Sequence, residues 1–214
     1  MKKQTKKQPE VKPIKRLEIS PRWQLVFAVL LFTISAVFVH ERDMTELEIA
    51  IFRGLYELPS GFTGIFSVIT HFGNVYMLLG IALLLLIKRY YHMAVRLLFT
   101  GAFAYLLSGV MKDLVGRGRP LDYIPDLVYK DTVVRGSGFP SGHMALATAL
   151  FLTLSLYLPA KYKWVAPVGI LLVGLSRVQL GVHGPMDVVG GFAIGWAAVA
   201  LFKFVDIRTR KNPK

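Results

Sequence analysis

Cysteine is absent from all 214 residues, which excludes disulfides, thiolate metal sites and a cysteine nucleophile. Acids are scarce, with 13 Asp and Glu against 26 Lys and Arg and a net charge of +13. No acidic cluster in the polar stretches resembles a two-metal hydrolytic site, so neither a metal nor a cofactor is expected. The first apolar run, residues 23–39, is followed by His40-Glu41-Arg42-Asp43-Met44 and by no small-x-small cleavage site. That lack argues for a signal-anchor helix over a cleaved leader.

What fills the chain is apolar. Hydrophobic residues make up 54% of it, in runs longer than a soluble core helix needs. The fold class expected is all-α, a polytopic membrane protein with six transmembrane helices. The spans are read at residues 23–39, 62–87, about 97–115, 141–158, 164–180 and 185–205. The second must start before Gly73, because residues 75–87 rise only about 20 Å at ~1.5 Å per residue. His71, within it, reads as a packing or cavity-lining residue. Residues 41–57 mix acids with Leu47, Ile51, Phe52 and Leu55, as an interfacial amphipathic helix does. Residues 1–22 form a basic, solvated arm without an apolar face, and 23–214 a single membrane domain.

An even number of spans puts both termini on one side. That side, with the basic turns at 88–96 and 161–163, carries 18 Lys and Arg against 3 Asp and Glu; the other carries 8 against 10. The positive-inside rule makes the first side cytoplasmic at a plasma membrane. It also accounts for the basic surplus, so no nucleic-acid partner is expected. Three polar segments then fall together on the outer face: 112–140, 138–143 and 176–187.

Each segment carries groups suited to an anion. Residues 176–187 hold Arg177, His183 and Asp187 at the junction of two apolar runs, where ionisable groups point to function. His183 reads as a nucleophile or base, Asp187 as the carboxylate that accepts its ring N–H, and Arg177 as a cation for an anionic substrate. In Gly138–His143, Ser141 is a natural N-cap, and the amides beyond it, with His143, suit a phosphate or similar anion. Lys112 reads as the end of the third helix and Arg119 as part of a turn folding back over the site, since Gly116, Gly118 and Pro120 interrupt any helix between them. Taken alone, that pair also fits two interfacial cations. Residues 116–140 form the longest polar loop, read as the active-site loop.

Lys112-x6-Arg119-Pro120, Pro140-Ser141-Gly142-His143 and Ser176-Arg177-x5-His183-x3-Asp187 together resemble the three-part signature of the type 2 phosphatidic acid phosphatase family. Glucose-6-phosphatase and the vanadium-dependent haloperoxidases are relatives of that family. The resemblance covers about residues 62–205, leaves the basic arm outside, and is nearest in form to the bacterial membrane members. It implies that His183 attacks phosphorus to form a phosphohistidine, with Asp187 holding it. His143 would protonate the leaving alkoxide and then help water release phosphate. Lys112, Arg119, Arg177, Ser141 and the amides near Gly142 would bind the phosphoryl oxygens. The substrate implied is a lipid phosphate or pyrophosphate at the outer leaflet: a polyprenyl pyrophosphate, phosphatidylglycerol phosphate or phosphatidate. A lipid phosphotransferase would use the same groups. A transporter would instead distribute its charges toward the midplane.

Overall fold

The computed structural model describes residues 19–39, 43–131 and 136–211. The first eighteen residues of the basic arm lie outside the described residues. Those described form helices and turns without a strand: α1 (Pro21–Val39), α2 (Glu46–Tyr56), α3 (Gly61–Ile69), a 3-10 turn (Thr70–Gly73), α4 (Val75–Ile87), α5 (Tyr91–Val115), α6 (Pro120–Tyr123), α7 (Gly142–Ser155), a second 3-10 turn (Ala160–Tyr162), α8 (Val165–Gln179) and α9 (Pro185–Lys211).

Local chemistry sets these boundaries. Thr45 caps α2, its hydroxyl accepting from the Glu48 amide at 3.2 Å. Asn74 caps α4 by accepting from the Tyr76 amide at 2.9 Å. Gly116, at φ 63°, ends α5 in the left-handed conformation.

Three expectations need correction. The second apolar run is not one helix: α3 with its 3-10 turn meets α4 at a 60° bend. The Asn74 cap restarts the helix there, because its carboxamide competes for the backbone N–H. The basic turn expected at 88–96 is only three residues long, since α5 begins at Tyr91. The amphipathic segment is also shorter than expected, with helix confined to Glu46–Tyr56.

Length separates the helices into two groups. Pro21–Val39, Tyr91–Tyr123 and Pro185–Asp206 are long and apolar enough to cross a membrane, and the bent pair would make a fourth crossing. By contrast, α7 has 14 residues and α8 has 15, about 21–23 Å each at ~1.5 Å per residue. The interior of the bundle belongs to α7. It packs on α5, α8 and α9, while α1 lies along α9. Met144 through Leu150 are all buried, so α7 is enclosed on every side rather than on one stripe.

Small residues make this enclosure possible. Ala104, Ala145, Ala149, Ile194 and Ala198 form the α5–α7–α9 seam. A Cβ added at Gly191 would stand 2.3 Å from the Ser141 carbonyl oxygen, and one at Gly195 would stand 2.4 Å from that of Ala145. The pair is a small-xxx-small face that lets two membrane helices meet backbone to backbone. A buried hydroxyl pair, Thr100 and Thr153 at 3.0 Å, bridges α5 to α7. The outer faces carry exposed Phe27, Ile34, Leu83, Phe99, Phe103 and Leu106, an apolar periphery that suits hydrocarbon rather than water.

Candidate active site

The polar interior lies at one end of this bundle, where α7 and α9 begin and α5 and α8 end. Ser141 caps α7: its hydroxyl accepts from the Met144 amide at 3.4 Å, while its own amide donates to the Asp187 carbonyl at 2.9 Å. That second bond ties the start of α7 to the first turn of α9. Gly142 and His143 are the first two residues of α7.

His183 lies in the turn between α8 and α9, reached through Gly181 at φ 80°. Its amide donates to the Arg177 carbonyl at 3.2 Å, and the side chain is buried. Burial pushes the imidazole well below its ordinary pKa, and the charges of Arg177, Arg119 and Lys112 push it further the same way. His183 is therefore neutral at physiological pH, as a nucleophile must be.

Asp187 is the third residue of α9, and its carboxylate is more heavily engaged than the sequence suggests. Oδ2 accepts from the Gly184 amide at 2.8 Å, the reach-back of a capping box to the residue before the helix. Oδ1 accepts from Arg117 Nη1 at 3.0 Å. His183 Nδ1 stands 3.5 Å from Oδ2, closer to an ion-pair contact than to a short hydrogen bond. The ring N–H bond expected from His183 to Asp187 is thus not formed: Nδ1 has no hydrogen-bond partner among the described residues, and the helix start claims the facing oxygen.

The three expected cations converge here from three directions. Arg177, at the end of α8, donates through Nη1 to Thr70 Oγ1 at 2.6 Å and to Asp131 at 3.2 Å. Its Nε is buried without a partner among the described residues. Arg119 precedes α6, and its amide donates to Asp122 at 2.7 Å. Its guanidinium donates from Nε to the Gly136 carbonyl and from Nη1 to the Val182 carbonyl, both at 2.8 Å. Lys112, in the last turn of α5, donates to the Ser137 carbonyl at 2.7 Å. The folded-back turn expected at Arg119 is thus present, and these bonds tie it and the end of α5 to Gly136, Ser137 and Val182.

All eight expected residues lie at this end of the bundle: Lys112, Arg119, Ser141, Gly142, His143, Arg177, His183 and Asp187. His71 is exposed on its 3-10 turn rather than packed. Four participants were not expected: Glu48, Thr70, Arg117 and Asp131. Glu48 had a sequence signal, since it falls four residues after Met44 and four before Phe52, on the buried stripe of α2. Arg117, between two glycines inside the Lys112–Arg119 segment, had only its proximity to the motif.

Chemically, the site combines several cations, a helix amino end and a buried, neutral imidazole beside a buried carboxylate. Guanidinium groups and helix amides suit the equatorial oxygens of a phosphoryl group. Among the described residues, no group of three or more His, Asp or Glu side chains is arranged to hold a metal ion.

Comparison with known proteins gives a consistent assignment. Residues 93–210 match the family model described as PAP2 superfamily. The chain is 26% identical over 178 residues to the undecaprenyl-diphosphatase of Sulfolobus acidocaldarius, an alignment covering 81% of this chain and 85% of that protein. It is 35% identical over 116 residues to phosphatidylglycerophosphatase B of Bacillus subtilis, there covering 50% of this chain and 54% of the relative. The crystal structure of a transmembrane PAP2 type phosphatidylglycerolphosphate phosphatase from Bacillus subtilis superposes with a TM-score of 0.73 at 28% identity, over 87% of this chain and 97% of that one.

Proposed function

This chain belongs to the PAP2 superfamily, and on that premise we propose that it is an integral-membrane lipid phosphatase. It removes the terminal phosphate of a lipid phosphate or pyrophosphate through a phosphohistidine on His183. Asp187 orients His183, and His143 acts first as acid on the leaving oxygen and then on the water that releases phosphate. Lys112, Arg119 and Arg177, with Ser141 and the α7 amides, hold the phosphoryl oxygens. Phosphoryl transfer needs chiefly positioning and charge stabilisation, and these groups supply both.

The observation that carries this reading is the convergence of all these residues, from the end of α5, the turn before α6, the start of α7, the end of α8 and the start of α9, on a neutral, buried His183. A second feature supports a lipid as the substrate. An open apolar groove of about 520 Å³ runs between α7, α8 and α9, lined by Met144, Gly174, Val178, Val188, Phe192 and Trp196 among others. Three of these, Met144, Val178 and Val188, each adjoin a site residue in sequence, so a hydrocarbon tail in the groove has its head group near the site.

The topology that goes with this function has six crossings, both termini in the cytoplasm and the site on the outer face. The short α7 crosses inside the bundle, enclosed by protein, and α8 crosses beside it with Val168 and Leu171 on its outer face. The charge asymmetry of the chain supports that orientation.

The test is phosphate release by the purified protein in detergent with EDTA, from polyprenyl pyrophosphate, phosphatidylglycerol phosphate, phosphatidate and a soluble phosphate ester, with His183→Ala alongside. Release from a lipid that is lost in His183→Ala is the expected result. Release that persists in His183→Ala overturns the mechanism. Product that forms only when an acceptor lipid is added identifies a phosphotransferase instead.

A further inference from the structure

Behind Asp187 lies a buried ion triad that the catalytic steps above leave unused. Glu48, on α2, spends both carboxylate oxygens there. Oε2 accepts from Arg117 Nη2 at 2.6 Å, while Oε1 accepts from Arg117 Nη1 and from the Met186 amide, each at 3.0 Å. Arg117 Nη1 also donates to Asp187 Oδ1 at 3.0 Å. The side chains of Glu48, Arg117 and Asp187 are 4%, 2% and 1% exposed.

Two carboxylates share one guanidinium out of water, and the sharing is unequal. Glu48 faces a bidentate fork and Asp187 a single N–H. A buried triad of this kind is a poor device for stability, because the desolvation of three charges offsets much of their attraction. Its geometry suits another task. The bond to Oδ1 fixes the plane of the Asp187 carboxylate so that Oδ2 faces His183 Nδ1. Glu48 meanwhile engages the larger part of the Arg117 charge, leaving the negative charge of Asp187 available to the imidazole.

We propose that Glu48 and Arg117 are a positioning pair for the reaction: through Arg117, the interfacial helix α2 sets how strongly Asp187 supports His183. The inference rests on the phosphatase reading above.

The pair predicts opposite consequences for its two members. In Glu48→Gln, Arg117 has only Asp187 to neutralise, so less negative charge reaches His183. The acid limb of kcat/KM moves to lower pH. In Arg117→Met, Glu48 and Asp187 are left without their cation. A proton then binds the carboxylates or His183 more readily, and by either route the acid limb moves to higher pH. A shift of about one pH unit is expected for each, the lower end of what a charge at this range produces. Both variants keep the same remaining charges around His183 and Asp187: Lys112 on α5, Arg119, Asp122 and Asp131 on the segment between α5 and α7, His143 on α7, Arg177 on α8 and His71 on the first 3-10 turn.

The experiment measures kcat/KM against pH for wild type, Glu48→Gln, Glu48→Asp, Arg117→Met and Arg117→Lys, each checked for a native melting transition in detergent. Opposite shifts in Glu48→Gln and Arg117→Met, with Glu48→Asp close to wild type, are the expected result. If Arg117→Met does not fold, the downward shift in Glu48→Gln and its reversal in Glu48→Asp carry the test, with Arg117→Lys keeping a near-normal limb at reduced kcat. A pair that only holds α2 in place lowers stability and leaves the limb unmoved in Glu48→Gln; that outcome, or a shift of both variants in one direction, overturns the proposal. His183→Ala separates the two levels: an unmoved profile with His183→Ala inactive rejects only this role, whereas an active His183→Ala rejects the phosphatase mechanism itself.

Discussion

Asp187→Asn is the sharpest single test of the site, because the replacement keeps shape and removes only charge and acceptor capacity. Two donors bond the oxygens of Asp187, Arg117 Nη1 at 3.0 Å and the Gly184 amide at 2.8 Å, and His183 Nδ1 faces them from 3.5 Å. An asparagine offers one oxygen and one NH2, so no rotamer satisfies all three. With its oxygen toward Arg117, the NH2 faces the Gly184 N–H and donates to Nδ1. The imidazole proton then moves to Nε2, the nitrogen that has to attack phosphorus. With its oxygen toward Gly184, the NH2 opposes Arg117 Nη1, donor against donor, at a cost of about 1–3 kcal/mol for a buried group. In a serine-protease triad, the same Asp-to-Asn replacement lowers kcat about 10⁴-fold through the tautomer alone. Here Glu48 still holds Arg117, which limits the structural damage. The expected loss in kcat is therefore roughly a hundred- to ten-thousand-fold, or about 3–5 kcal/mol of barrier, with KM changed little. The assay is phosphate release in detergent with EDTA on the best lipid of the panel, with a melting curve on the same sample. A folded Asp187→Asn within about tenfold of wild type, a loss under ~1.4 kcal/mol, refutes the role assigned to this carboxylate.

Four other outcomes are expected. His183 is held well below the ordinary histidine value, so the acid limb of kcat/KM should lie below about pH 6.5; a limb above that value contradicts a buried neutral nucleophile. The same shift fixes a stability trend: the folded value lies below the unfolded one, so the contribution of His183 is complete above ~pH 6.5 and is lost as pH falls toward the folded value, which thermal melts across the acid range would register. Activity should persist in EDTA without stimulation by Mg²⁺, and a preparation silenced by EDTA and restored by Mg²⁺ would count against three cations and helix amides as the phosphoryl clamp. Gly195→Leu should lower the melting temperature markedly, by more than the ~1–3 kcal/mol of ordinary overpacking, because its Cβ would meet backbone 2.4 Å away; an unchanged melt would disprove the close α7–α9 contact.

How much of this was legible in the sequence depended on whether a feature was local. Ser141 as the cap of α7, the turn at Arg119 and the gathering of Lys112, His143, Arg177 and His183 could all be read, because each combines a short motif with a polar break in apolar patterning. The division of the second apolar run could not be read from hydropathy, since Val75–Ile87 is as apolar as a continued span would be. It depends on one Asn74 side chain capping a new helix. The length of α7 was overestimated, because Leu156, Tyr157 and Leu158 continue the apolar composition past its end at Ser155. Glu48 and Arg117 were missed for a different reason. They meet across 69 residues, and neither belongs to a motif whose spacing fixes its partner. An acid on the buried stripe of α2 was visible, but not the guanidinium that would compensate it.

The distances along the chain between the site's members have a consequence for its biogenesis. Glu48 bonds to the Met186 amide across 138 residues, and the cap of α7 bonds to the backbone of Asp187. A ribosome-bound chain therefore carries Arg117 before Asp187, the second of its two carboxylate partners, has been synthesised. Only the turn after α8 and the start of α9 supply His183 and its carboxylate. Every shorter nascent chain lacks the complete site, so hydrolytic competence begins with the insertion of the last helix, and a chain truncated before residue 187 leaves Arg117 without the second of its two carboxylate partners.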